Sequence, residues 1–103
     1  MARNRVERRA VSVTVHLPTA LRKYCGGAAD VPVSPKATTV QAVLHELERL
    51  QPALYVNLCD ETGKVRRHLN VFVNSDHMRD REGLDTPLKD GDVVTILAAV
   101  SGG

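Results

Sequence analysis

Asp90-Gly91-Asp92-Val93-Val94-Thr95-Ile96-Leu97-Ala98-Ala99-Val100-Ser101-Gly102-Gly103 is the stretch on which the reading of this chain turns. An acidic-glycine turn feeds a run of β-branched and aliphatic residues, the composition of a buried strand. The run passes almost directly into Ser101-Gly102-Gly103. A structural strand usually ends in a turn or a solvated polar tail, whereas this one aims a carboxylate outward on two residues without side chains. Glycine has no Cβ, so such a backbone can enter a slot too narrow for any other residue. Fully extended, Val100, Ser101, Gly102 and Gly103 reach roughly 13 Å, at about 3.3 Å per residue. That places Gly103 within reach of another protein's active site. Most chain ends are simply frayed. Directly behind a hydrophobic strand, Gly102-Gly103 reads instead as a functional tail.

A strand of that kind needs a sheet, and the rest of the chain supplies one. Val11-Ser12-Val13-Thr14-Val15-His16-Leu17 alternates apolar and polar residues, the period of a half-buried strand. It puts Val11, Val13, Val15 and Leu17 inward and leaves His16 as a surface histidine. Pro18 ends it, a helical turn is expected around Thr19–Tyr24, and Gly26-Gly27 turns the chain. No GxxxxGK[ST] follows the Gly pair, so it is a tight turn rather than a phosphate loop. A second strand is expected over Ala28–Ser34, at an edge because of Pro32.

Thr38 or Thr39 is placed to cap a helix from Val40 to about Gln51, with Pro52 as its stop. Val40, Val43, Leu44, Leu47 and Leu50 recur at helical spacing and form one apolar stripe. His45 and Glu46 are sequence neighbours on the polar side and cannot pair on one metal. Residues 53–69 are the least readable. Ala53–Leu58 is expected as a short helix or buried segment, Asp60–Gly63 as a turn and Lys64–His68 as a basic return leg. Asn70–Asn74 reads as a strand, Ser75-Asp76 as the turn after it, and Met78–Gly83 as charged and exposed. Leu84–Leu88 connects to the final strand.

Two strands, one principal helix and further strands make an α+β body. The economical arrangement is a ubiquitin-like β-grasp: a mixed sheet packed on the main helix, with the first and last strands adjacent at its centre. Alternation in the last strand puts Val94, Ile96 and Ala98 on one face. The core is expected to join Val94 and Ile96 to Val71, Val73, Leu44 and Leu47. Phe72 and Leu97 then point the other way, as an apolar docking patch for partners, unless residues 53–69 cover that face.

The 103 residues suit one domain, with residues 1–10 a basic arm, 11–99 the body and 100–103 the tail. Aromatic content of 3% means an aliphatic core. Arg3, Arg5, Arg8 and Arg9 against Glu7 put +3 in the arm, leaving −1 of the formal +2 for residues 11–103. The body therefore carries no electrostatic footprint for nucleic acid. Cys25 and Cys59, without CxxC spacing, fit free thiols of a reducing cytosol and are too few for a ferredoxin-type cluster. No apolar run approaches the ~18 residues of a membrane span, and no hydrophobic region follows the Arg-rich start. A cytoplasmic location is expected.

With its Val11–Leu17 strand, Pro18-Thr19-Ala20-Leu21-Arg22, Asn70–Asn74 and above all Asp90–Gly103, the chain resembles the ubiquitin-like sulfur-carrier proteins of the ThiS/MoaD family. The resemblance runs from about residue 11 to 103. It is strongest toward the cysteine-biosynthesis carrier subgroup, which shares the Pro-Thr-x-Leu-Arg start and the Gly63-Lys64-x-x-Arg67 segment. The arm at 1–10 is outside the family pattern.

That resemblance implies a protein co-substrate rather than an enzyme. A ubiquitin-activating-like adenylyltransferase uses ATP to adenylate Gly103, a sulfur donor enzyme converts the acyl-adenylate to a thiocarboxylate, and a client sulfur-transfer enzyme takes the sulfur. The chain itself needs no cofactor, metal or catalytic side chain, and is expected to be a monomer when free. Ser101 is a spacer in the threading segment. The same terminus could instead join Gly103 to lysines of target proteins, making the chain a ubiquitin-like modifier. A plain β-grasp interaction module with an inert tail is the third possibility, against which stands the sequence ending at Gly103 with nothing beyond it to trim.

Overall fold

Alternation in the first and last strands builds the centre of the molecule. The computed structural model describes residues 11–35 and 37–99; the basic arm and the threading segment Val100–Gly103 lie outside the described residues. The described residues form five strands: β1 Val13–His16, β2 Asp30–Val33, β3 Leu69–Val73, β4 Asp76–His77 and β5 Val93–Ala98. Their order in the sheet is β2-β1-β5-β3-β4. β1 and β5 run parallel at the centre and the other pairs are antiparallel. That is the expected β-grasp layout. Pro32 sits in edge strand β2 opposite Thr14, where its missing N–H leaves no gap in a ladder.

Helix α1, Val40–Leu50, covers one face. The Thr39 hydroxyl caps it by accepting the Ala42 N–H at 3.2 Å. Val40, Val43, Leu44 and Leu47 are buried in one cluster with Val13, Val15, Val71, Val73, Val94 and Ile96. The expected core, and with it the register of β5, is therefore correct. Pro52 does not merely stop α1. It opens a second helix, α2, Pro52–Leu58, where its fixed φ suits a first turn. Leu54 and Leu58 of α2 are buried, and α2 packs on α1 and on the 3-10 turn Thr19–Cys25.

Three expectations need correcting. Leu50 is 42% exposed rather than part of the buried stripe, because it lies on the last turn of α1, where the chain bends at Gln51 into α2. Ala98 shares the face of Val94 and Ile96, as expected, and is exposed at the end of β5. The turn after β3 is Asn74-Ser75, not Ser75-Asp76, since Asp76 already pairs with Val73. Asn74 carries the positive φ of 55° that this tight reversal requires, and asparagine tolerates it better than most residues. The first two strands are also shorter than Val11–Leu17 and Ala28–Ser34. The Gly26-Gly27 turn stands as expected, both residues having positive φ.

Candidate functional site: the open sheet face and the strand that carries the tail

The sheet face away from α1 is crossed by one continuous row of side chains. His16 pairs with Asp30 of β2 and with Thr95 of β5, Thr95 with Phe72 of β3, and Phe72 with His77 of β4. Directly opposed residues project to the same side, so Asp30, His16, Thr95, Phe72 and His77 share this face. His16 Nδ1 lies 2.6 Å from Asp30 Oδ1, so the expected surface histidine is tied to a carboxylate. At the other end, His77 Nδ1 accepts the Arg79 N–H at 3.1 Å. The proton must then sit on Nε2, which donates to Asn70 Oδ1 at 3.1 Å. The His77 ring packs against Phe72 with centroids 5.1 Å apart and the planes tilted by 58°.

Phe72 and Leu97, the two residues expected to dock partners, are brought together. Leu97 opposes Asn70 and Phe72 opposes Thr95, so they are diagonal neighbours on adjacent strands, about 7–8 Å apart. Leu97 is 43% exposed and Phe72 half-buried. Of the stretch 53–69, helix α2 packs on α1 and on the 19–25 turn. His77, whose ring backs Phe72, and Asn70, which accepts the His77 Nε2–H, were not legible in the sequence. A two-residue strand has no period to detect, and only the positive-φ Asn74 hints at a hairpin.

β5 keeps its pairing to its end. Ala98 pairs with Leu69, and the Ala99 N–H donates to the His68 carbonyl at 2.7 Å. The threading residues Val100, Ser101, Gly102 and Gly103 come directly after it in the chain, outside the described residues. Neither thiol is primed for chemistry. Burial pushes the Cys59 thiol up to about 11, with the Tyr55 hydroxyl hydrogen-bonded to it, and burial also raises Cys25. Both are thiols rather than thiolates at neutral pH. Among the described residues no His, Cys, Asp and Glu cluster could hold a metal ion, and no helix is long and apolar enough to cross a membrane.

The family model of ThiS proteins matches residues 15–103. The chain belongs to the ThiS family. This ThiS-family chain is 41% identical over 95 residues to the sulfur carrier protein CysO of Mycobacterium tuberculosis, covering 90% of the chain and all of that relative. It superposes on CysO of Amycolatopsis orientalis, solved in complex with BexX, with a TM-score of 0.75 and 40% identity over 88% of the chain and 99% of that structure. Small archaeal modifier protein 1 from Methanosarcina acetivorans is similar too. Its TM-score is 0.72 at 36% identity, over 92% of the chain and 99% of that structure. The ubiquitin-like β-grasp fold and the sulfur-carrier likeness are thereby shown.

Proposed function

We propose that the chain is a sulfur carrier whose reactive group is the Gly103 carboxylate. The observation that carries this reading is the 41% identity to a sulfur carrier over that relative's whole length. A carboxylate is a poor electrophile. A partner activating enzyme joins a Gly103 carboxylate oxygen to the α-phosphorus of ATP and releases pyrophosphate. Sulfide-level sulfur (HS⁻) supplied by a donor enzyme attacks the acyl carbon and expels AMP, leaving a terminal thiocarboxylate and releasing the sulfur's proton. A client biosynthetic enzyme then takes that soft sulfur nucleophile in a cleft that excludes water. Cysteine biosynthesis is the client pathway favoured by the subgroup resemblance.

The division of labour fits the geometry. β5 is anchored in the centre of the sheet and delivers the tail at its end, while Phe72 and Leu97 on the adjoining open face dock the partner. A truncated chain lacking Gly102-Gly103 tests the role of the tail. It should fold like the full chain, with the same melting temperature, yet fail to consume ATP with the activating enzyme. Unchanged ATP consumption would reject the role given to the tail.

A second reading rests on the likeness to small archaeal modifier protein 1. Adenylated Gly103 would then pass to a lysine amine, forming an isopeptide bond. Lysine adducts of the chain in cells under oxidative stress would favour this modifier role, and accumulation of thiocarboxylate would favour the carrier.

A further inference from the structure

β5 leaves the sheet between two segments that contain no carboxylate. β1 runs parallel to it, with His16 level with Thr95, and β3 runs antiparallel, with Leu69 level with Ala98. The loop after β1 and the segment before β3 therefore flank the root of the tail. Residues 17–29, after β1, hold Arg22 and Lys23 and no Asp or Glu. Arg22 Nε donates to the Leu17 carbonyl at 3.1 Å, which ties that guanidinium to the end of β1. Lys23 is exposed, its Nζ 5.4 Å from the Tyr24 ring centroid.

Before β3, Arg67 and His68 are exposed, and residues 64–75 contain no acid. Arg66 is engaged elsewhere: its Nε donates to the Val56 carbonyl and it lines a separate cleft with Glu48, Asp60 and Glu61. Among the described residues, Arg22, Lys23 and Arg67 take part in no ion pair. The opposite end of β5 has the other sign. Residues 76–92 carry Asp76, Asp80, Glu82, Asp85, Asp90 and Asp92 against Arg79, Arg81 and Lys89, a net of −3. Asp30, opposite His16 and tied to it, is the nearest carboxylate of β2 at the tail end of β5; the two segments that directly flank that end are positive, and the one that leads into β5 is negative.

We propose that Arg22, Lys23 and Arg67 form a cationic collar around the root of the tail, and that it docks on an acidic rim at the mouth of the partner protein's tail-receiving cleft. The inference rests on the carrier reading above. On the carrier reading the tail presents the Gly103 carboxylate, which an acidic rim alone would repel. The collar reverses the local sign and lets the chain approach tail first. Charges at the edge of an interface act mainly on the association rate and are screened by salt.

The test is the association rate of the full-length chain with BexX of Amycolatopsis orientalis, the protein bound to the CysO neighbour, at low and raised ionic strength. The wild-type rate is expected to fall as salt rises. Lys23→Glu combined with Arg67→Glu should lower it about tenfold or more at low salt, with the gap closing at high salt and the dissociation rate little changed. Lys89→Glu, at the acidic end, should leave the rate within about twofold. Melting temperatures confirm that each variant folds. Association that is insensitive to salt, or slowed as much by Lys89→Glu, overturns the collar alone. No association of the wild type even at low salt overturns the collar together with the partner docking it rests on. Tight, collar-dependent binding of a single-stranded oligonucleotide would reassign these cations to phosphate and overturn the acidic partner.

Discussion

The His68 carbonyl accepts the Ala99 amide at 2.7 Å, so pairing between β3 and β5 continues to the last described residue. One net hydrogen bond contributes about 0.5–1.5 kcal/mol, small for the fold. Ala99→Pro removes this donor. The expected outcome is a small drop in melting temperature and a larger loss of ATP-dependent activation, measured on fully folded protein. Equal losses in both would mean that the anchor serves stability alone.

Ile96 is buried in the centre of the core beside Val71 and Val94. Ile96→Ala should cost about 2–5 kcal/mol in chemical denaturation, a large part of the roughly 5–15 kcal/mol of a typical domain. Leu97→Ala, one residue on and facing outward, should cost well under half of that. Equal costs would contradict the register of β5.

Phe72 separates docking from packing. Half-buried and backed by His77, it should lose little stability on Phe72→Ala while the carrier concentration needed for half-maximal activation rises several-fold. A variant that melts early, yet is activated normally when kept cold, would remove Phe72 from the docking surface.

Asp92 links acid stability to the turn that opens β5. Partial burial works against its ionisation. The Lys89 N–H at 2.8 Å, the Asn74 amide at 3.1 Å and the charges of Lys89 and Arg81 outweigh that and hold the carboxyl below its usual value. A depressed carboxyl stabilises the fold at pH values above its unfolded pKa, and that contribution is lost as pH falls through the lower folded value. Asp92→Asn should therefore melt earlier at neutral pH and show a shallower decline in melting temperature between about pH 5 and pH 2. Parallel curves for variant and wild type would contradict this role.

Thr86 is fully buried, and its hydroxyl donates to the Gly83 carbonyl at 2.7 Å and accepts the Glu82 N–H at 3.1 Å. Thr86→Val keeps the shape and strands the Glu82 N–H, while the Gly83 carbonyl keeps the Thr86 N–H at 3.1 Å, at an expected cost of about 1–3 kcal/mol. A neutral result in denaturant unfolding would show that water replaces the hydroxyl.

The parts of this molecule written as periods were readable in advance. Val13-Thr14-Val15-His16, Val93–Ala98 and the Val40–Leu47 stripe each bury one side, and their spacing reports which side. Thr86 belongs to no period, and nothing local distinguishes a threonine that knits a turn from a solvated one. β4 is too short to alternate, so the clamp of His77 on Phe72 emerges only once the hairpin closes. Leu50 keeps the helical spacing but loses its cover at the bend into α2, a tertiary fact absent from spacing. For the site, alternation placed Phe72 and Leu97 on one face. That Leu97 stays exposed there while α2 packs against α1 is a tertiary fact that spacing does not carry.

The intact mass of the chain after incubation with its activating enzyme, ATP and a sulfide source tests the central claim most directly. The account predicts a gain equal to the exchange of one oxygen for one sulfur, located at Gly103 by fragmentation and absent without ATP or from the chain lacking Gly102-Gly103. An unchanged mass, with the activating enzyme shown to be active on its own carrier, would contradict it.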